Sequence, residues 1–142
     1  MISSPYSAED WPIAAAMMAF GNKDSHGGAI HDAEPEEWAK HLRLVRHLGF
    51  TEVDPTDTWV RVGDLSPERL SDFKSVLSDV GLRIPAMSTS RRSVMDPEHG
   101  EEYLVYSHRL LDVAAELGVP MVSFGFFQEF TLRQVLLNAA KN

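Results

Sequence analysis

Two adjacent arginines within a run of hydroxyl residues are the side chains best suited to bind a polar ligand. Arg91 and Arg92 lie in the segment 88–93, whose other members are serine and threonine. Guanidinium groups bind phosphate and carboxylate oxygens through paired hydrogen bonds, and they also donate to sugar hydroxyls. In the alternative interpretation, one arginine pairs with Asp96 or Glu98 and the other is solvated. Both interpretations stay open at this point.

Two aspartates form a second candidate group, in the segment 54–59. Asp54 and Asp57 lie on either side of Pro55 and shortly before Trp59. Carboxylates placed in this way can contact a polar substrate or act as general bases. They can equally cap a turn around the proline. Trp59 could stack on a sugar ring, or it could cover the core or contact a partner.

The six histidines are dispersed along the chain. His26 and His31 lie in the glycine-containing segment 21–31, from which they could in principle reach a metal ion. We keep His26 as a candidate substrate-binding residue. His41 and His47 are expected to face solvent from a helix. The sequence contains no metal-binding histidine pair beside a carboxylate, no nucleophile elbow and no phosphate-binding loop, so no numbered residue is assigned as a metal ligand.

A repeat of strands and helices must position these segments. Three apolar–Gly–apolar triplets each follow helical periodicity and precede a β-rich run: Leu48-Gly49-Phe50, Val80-Gly81-Leu82 and Leu117-Gly118-Val119. Their spacings of 32 and 37 residues match one strand–helix unit. Glycine readily adopts the left-handed conformation that ends many helices. The triplets therefore predict the ends of three helices.

The predicted order is a strand followed by a helix, repeated four times. Strands are expected at 13–20, 52–54, 84–87 and 121–125, and helices begin near Pro35, Pro67, Glu101 and Thr131. Each of the first three predicted helices has one face that is expected to be buried. In the first helix this face is Trp38, Leu42, Val45 and Leu48; in the second it is Leu70, Phe73, Val76 or Leu77, and Val80; in the third it is Leu104, Leu111, Ala114 or Ala115, and Leu117.

This alternation implies an α/β protein with a parallel sheet and right-handed crossovers. It fits a doubly wound sheet or part of a barrel, although the glycine fingerprint of dinucleotide-binding folds is missing. In both folds, functional residues collect at the carboxyl ends of strands. The segments 21–31, 54–59, 88–93 and 126–129 all follow predicted strands, so each is expected at that edge.

The composition of the chain indicates which classes of partner it can bind. The 142 residues are 44% hydrophobic and carry a formal net charge of −8, so we expect one domain, 1–142, with no nucleic-acid or membrane partner. A small anionic substrate held by local arginines remains compatible with this charge. There are no cysteines, no apolar run of about 20 residues and no signal-peptide pattern. These features are compatible with a cytoplasmic location.

Four segments resemble a known family. The runs 50–59, 63–66, 90–97 and 115–120 (FTEVDPTDTW, GDLS, SRRSVMDP and AELGVP) are similar to xylose isomerase-like TIM barrels, the sugar phosphate isomerases and epimerases. The resemblance covers roughly residues 11 to 130. Some members that look like this subgroup are barrel subunits of C-glycoside deglycosidases, others are isomerases or epimerases, and apurinic endonucleases are relatives.

The resemblance implies a (β/α)8 barrel, of which this chain would form about the first four units. It implies action on a sugar or sugar derivative by metal-assisted proton transfer, with Mn²⁺, Mg²⁺ or Zn²⁺ as cofactor. In the family the metal ligands come from the second half of the barrel, so none falls on a residue of this chain. Arg91, Arg92, Asp54, Asp57 and His26 would bind or orient the substrate, and the chain alone is expected to be inactive.

Two other functions stay open. The chain could be a non-catalytic remnant or assembly subunit of a barrel enzyme, or it could be part of a C-glycoside-cleaving lyase. Four parallel strands with one layer of helices leave sheet edges and an apolar inner face uncovered. We therefore expect either a homo-oligomer or a missing second half, together with a sugar-type small molecule as ligand.

Overall fold

Parallel strands and helices alternate along the part of the chain that the computed structural model describes, residues 13–89 and 92–124. The helices are α1 (Pro35–His47), α2 (Pro67–Val80) and α3 (Gly100–Leu117), and the strands are β1 (Ala14–Ala16), β2 (Glu52–Asp54), β3 (Met87–Thr89) and β4 (Val122–Phe124). Short 3-10 turns lie at Met17–Phe20, Ile30–Asp32 and Val62–Asp64. Within these two ranges, no helix is long and apolar enough to cross a membrane.

The strands pair in parallel, as the alternation predicts. β1 pairs with β2, and β3 pairs with β4. A single parallel bridge between Glu52 and Arg83 connects β2 to the segment that leads into β3. The Val53 amide donates to the Arg83 carbonyl at 2.9 Å, and the Arg83 amide donates to the Thr51 carbonyl at 3.0 Å. The predicted class, parallel α/β repeats, is confirmed.

The core lies between the strands and the inner faces of α1 and α2. Trp38, Leu42 and Val45 of α1 are buried, and Trp38 packs edge-to-face on Phe73 of α2 with ring centroids 5.7 Å apart. From α2, Leu70, Phe73, Val76 and Leu77 are also buried. The predicted inner face of α2 is confirmed. For α1, the prediction that Leu48 is buried is wrong, because this residue follows the end of the helix and is exposed.

The predicted helix ends are confirmed. α1 and α2 each begin with a proline, and the Ser66 hydroxyl accepts a hydrogen bond from the Arg69 amide at 3.3 Å to cap α2. Gly81 and Gly118 end α2 and α3 with φ angles of 73° and 68°. A side chain there would strain the backbone, which explains why glycine occupies both positions.

Two predicted strands have different bounds. The first was expected over 13–20 but ends at Ala16, where a 3-10 turn begins. The third was expected over 84–87 but occupies Met87–Thr89. Pro85 has no backbone N–H to donate to a neighbouring strand, so regular pairing starts only after it. The fourth predicted helix, near Thr131, and the segment 126–129 lie outside the described residues.

The inner face of α3 differs from the predicted one. Leu104 and Leu111 were expected inside, but they are 47% and 48% exposed, whereas Tyr106 and Leu110 are buried. Ala114, which was expected inside, is buried. Apolar residues lie on several sides of this helix, so periodicity could not select the buried side. The close approach of Gly63 to Leu110 determines which side of α3 is buried. A Cβ atom built on Gly63 would lie 3.2 Å from both Cα and Cβ of Leu110.

We expect Gly63→Ala to lower the free energy of unfolding by about 2 kcal/mol, because α3 must move outward to admit the methyl group. Urea unfolding followed by circular dichroism measures the change. Ser78→Ala, on the exposed side of α2, is the control and is expected to shift stability by less than about 0.5 kcal/mol. Equal stabilities for the two variants would show that the close approach is unimportant.

Candidate functional site

Asp54 connects the carboxyl ends of two strands. It is the last residue of β2, and its Oδ1 accepts a hydrogen bond from the Ser88 amide of β3 at 2.9 Å. Its Oδ2 accepts a second hydrogen bond from the Ser88 hydroxyl at 2.5 Å. Both carboxylate oxygens are therefore engaged within the protein, and this candidate substrate contact also holds the edge of the sheet together.

Asp57 and Arg92 form a buried ion pair beside Asp54. Arg92 Nε donates to Asp57 Oδ2 at 2.8 Å, and the two side chains are 18% and 4% exposed. Two candidate residues that lie far apart in the sequence are thus brought together. Arg92 therefore pairs with Asp57, and the alternative that one of the two arginines pairs with Asp96 or Glu98 stays a prediction. Arg91 lies outside the described residues, so its role stays a prediction.

Tyrosine rings of α3 support the ion pair. The Arg92 guanidinium carbon lies 4.3 Å from the ring centroid of Tyr106 and 5.6 Å from that of Tyr103. Tyr106 is buried, and its hydroxyl has no hydrogen-bond partner within the described ranges. Burial raises the pKa of this phenol, and the negative charge of Asp57 raises it further. The hydroxyl therefore stays protonated and able to donate.

Two open grooves meet at this pair. The first, here called the arginine groove, has a volume of about 540 Å³ and is lined by Asp57, Thr58, Arg61, Asp64, Arg92, Glu102 and Tyr103. The second, here called the histidine groove, has a volume of about 370 Å³, and its lining includes Asn22, His31, Asp32, Asp57, Thr58 and Arg61. Asp57, Thr58 and Arg61 line both. The two grooves therefore form one continuous surface, with charged and polar residues in both walls, at the carboxyl ends of the strands.

Asp64 holds two arginines between the grooves. Its Oδ1 lies 3.0 Å from Arg109 Nη2, and its Oδ2 lies 3.4 Å from Arg61 Nε. Arg61 belongs to the segment between β2 and α2, whereas Arg109 belongs to α3. This network fixes the segment against the helix. It also places positive charge at the side of both grooves.

The loop 21–31 is fixed to α1 by Glu37. Glu37 Oε2 accepts a hydrogen bond from the Ser25 amide at 3.0 Å, and Oε1 accepts one from Lys40. Lys40, followed by Ser25, lowers the pKa of Glu37 to about 2. A carboxylate that stays ionised over the physiological range thus anchors the loop that carries the two histidines. His26 lies on its exposed part, away from the residues that line the grooves, and its role stays a prediction.

His31 lies in the wall of the histidine groove. From the sequence, it was predicted only to be able to reach a metal ion. Its Nδ1 is buried and has no hydrogen-bond partner in the described part of the chain. Burial lowers the pKa of His31, and the charge of Arg61 lowers it further. Nothing local in the sequence distinguishes this residue from His26. Tyr106 was also missed, because a tyrosine within an apolar helix gives no functional signal.

Trp59 is a core residue and not a stacking platform. It is buried, and its indole Nε1 donates to Nδ1 of His41 at 2.9 Å. The core interpretation of Trp59 is therefore confirmed. The expectation that His41 faces solvent is wrong: it is partly buried between Trp59 and Phe20, and burial lowers its pKa.

Within the described ranges, no group of three histidine, aspartate or glutamate side chains could hold a metal ion. These residues therefore do not fit the divalent metal that the family resemblance implies. The candidate carboxylates Asp54 and Asp57 are engaged by Ser88 and Arg92. The polar surface is consequently equipped for hydrogen bonding and charge pairing.

Parallel strand–helix units with a polar site at their carboxyl edge match part of a TIM-barrel fold. In both sequence and fold, the chain is similar to xylose isomerase-like TIM-barrel proteins. One of these, from Mycobacterium smegmatis and crystallised in complex with magnesium, is 48% identical, with a TM-score of 0.80. The similarity covers 92% of this chain and 43% of that protein, so the chain spans less than half of its length.

A second similar structure supports the fold alone. It is a D-psicose 3-epimerase crystallised in the presence of D-fructose, 12% identical, with a TM-score of 0.53 over 78% of this chain and 36% of the epimerase. No protein-family model and no curated protein matches the sequence. The expected resemblance to xylose isomerase-like barrels is confirmed by these structures.

We expect Asp57→Ala to lower the free energy of unfolding by about 3 kcal/mol, because it leaves the buried Arg92 charge without its partner. Urea unfolding measures the loss. The matched control is Glu116→Ala, which breaks an ion pair with Lys74 whose side chains are 59% and 41% exposed. Loss of this surface ion pair is expected to lower the free energy of unfolding by less than about 1 kcal/mol. If both variants lost the same stability, the Asp57–Arg92 pair would be no more important than a surface pair.

Proposed function

We propose that the chain belongs to a protein that isomerises or epimerises a sugar or sugar derivative by proton transfer. In this proposal, the described residues supply part of the substrate-binding surface. The two similar structures, a xylose isomerase-like protein and a D-psicose 3-epimerase, support a substrate of this class. The location of the two grooves at the carboxyl ends of parallel strands supports the same surface.

The buried Asp57–Arg92 pair carries the proposal. A buried ion pair contributes little to stability, since desolvation offsets the attraction between its charges. It lies in the wall of the arginine groove, however, and so presents the Arg92 guanidinium to a ligand. The described contacts use only Nε of Arg92, so its two terminal amino groups can still donate to sugar hydroxyls or to an anionic substituent.

The other residues have different roles in this proposal. Asp54 positions the edge, since both of its oxygens accept hydrogen bonds from Ser88. Arg61 lies where the two grooves meet and would contact a ligand in either one. The described side chains provide no ligand set for a divalent metal, so the proposal assigns them substrate binding and not the proton transfer itself.

We expect D-fructose, added to the ¹⁵N-labelled chain, to shift the amide resonances of Asp57, Thr58 and Arg61 in a saturable way. Arg92→Lys is expected to weaken this binding about fivefold, because an ammonium group lacks the planar donor pattern of guanidinium. Arg83→Lys is the control. Arg83 pairs with Glu52 at the amino end of the strands, at 2.8 Å, so its replacement should leave the affinity unchanged.

Deuterium incorporation from D₂O into D-fructose, followed by proton NMR, reports proton transfer in the same samples. Saturable shifts in the two grooves support the binding surface, and exchange supports the reaction. Binding without exchange is the result expected of this chain alone, because its described residues are assigned substrate binding and not the proton transfer. Absence of shifts, or equal weakening by Arg92→Lys and Arg83→Lys, would contradict the proposed surface.

We further propose that a second copy of the chain covers its open side. Among the described residues, β1 pairs only with β2, and β4 pairs only with β3. Large apolar side chains at or near these strands are exposed: Ile13, Met18 and Met121. Burying them would stabilise an association. We expect light scattering at micromolar concentration to give a dimer mass, and a stable monomer would contradict this.

A further inference from the structure

We propose that His31 is a ligand-binding residue, whose imidazole hydrogen-bonds a hydroxyl group of a sugar derivative in the histidine groove. This inference rests on the proposed function, because it names a residue of the same surface. It adds an uncharged hydrogen-bonding group to a surface otherwise dominated by Asp57, Arg61 and Arg92.

The first observation is an unsatisfied atom. His31 Nδ1 is buried, and it has no hydrogen-bond partner among the described residues. Buried polar atoms in folded proteins almost always have a partner, either a protein group or an ordered water. Because His31 lies in the wall of a groove of about 370 Å³, a ligand hydroxyl that enters the groove can take the place of such a water.

His41 shows what a structural histidine looks like in the same fold. Its imidazole is also partly buried, and burial also lowers its pKa. Its Nδ1, however, accepts a hydrogen bond from the Trp59 indole at 2.9 Å. Two histidines in similar surroundings therefore differ in one respect: the fold supplies a partner for His41 and leaves His31 without one.

The charges around His31 favour a neutral ligand group. Asp32 is adjacent in the sequence, and Arg61, Asp64 and Arg69 surround the ring from the β2–α2 segment and from α2. Burial and the positive charge of Arg61 lower the pKa of the imidazole, so it is neutral at pH 7. A neutral imidazole offers one donor and one acceptor. A sugar hydroxyl, which can also donate and accept, is its natural partner.

A second unsatisfied atom experiences the charges of the same segment. The Tyr106 hydroxyl is buried without a partner in the described ranges, and the charges that act on it include Arg61 and Asp64, as they do for His31. Both unpaired atoms therefore experience the charges of Arg61 and Asp64, which belong to the segment 57–64.

The test compares His31→Phe with His41→Phe. Since the His31 ring has no partner to lose, His31→Phe is expected to keep or raise the melting temperature and to weaken D-fructose binding about fivefold. His41→Phe removes the acceptor of a buried indole N–H, so it is expected to lower the melting temperature while leaving the affinity of the folded chain unchanged. His31→Asn retains a polar atom near Nδ1 and is expected to recover part of the binding.

The outcomes separate the two proposals. If the wild-type chain does not bind D-fructose, the proposed function fails. If the wild-type chain binds and His31→Phe binds equally well, only the role of His31 is overturned. A melting temperature lowered as much as that of His41→Phe would also overturn it, by showing that the ring is structural. If His31→Phe does not fold, the D-fructose affinities of His31→Asn and His31→Leu are compared instead. Equal affinities for the polar and the non-polar replacement would contradict the role of His31.

Discussion

The buried ion pair between Asp57 and Arg92 is the interaction on which the rest of the site depends. It joins the segment after β2 to the segment after β3 through a contact of 2.8 Å, and the Tyr106 ring lies against the guanidinium from α3. Three elements thereby acquire fixed positions at the carboxyl edge. The close approach of Gly63 to Leu110 makes this possible, because it brings α3 near enough for its tyrosines to cover Arg92.

This arrangement makes the carboxyl edge less stable than an edge built only of well-packed side chains would be. Desolvating an arginine and a carboxylate is expensive, and leaving the Tyr106 hydroxyl and His31 Nδ1 without partners adds to the expense. Local conflicts of this kind are expected where a surface is selected for binding and not for packing. Here they lie around residues 57–64, next to both grooves, whereas the interface of α1 and α2 contains the aromatic and aliphatic packing of an ordinary core.

Much of the fold could be predicted from local patterns. Proline at the start of α1 and α2, Ser66 at the cap of α2 and glycine after α2 and α3 each act within a few residues. The buried faces of α1 and α2 followed from spacing, because polar residues occupy their other sides. For α3 the same reasoning selected Leu104 and Leu111, which are exposed. Its burial depends on contacts with Gly63 and Arg92, which come from other parts of the chain.

The sequence alone determined the parallel strand–helix order, the helix ends, the resemblance to xylose isomerase-like barrels and the edge at which polar segments collect. Each follows from residues close in the chain or from a recognisable run. Only the tertiary structure decided which side chains meet: Asp57 with Arg92, 35 positions apart, Asp54 with Ser88, 34 apart, and Trp59 with His41, 18 apart. Within the described residues, it also left His31 Nδ1 and the Tyr106 hydroxyl without a hydrogen-bond partner. Such pairings depend on how helices and strands pack, and no local pattern contains that information.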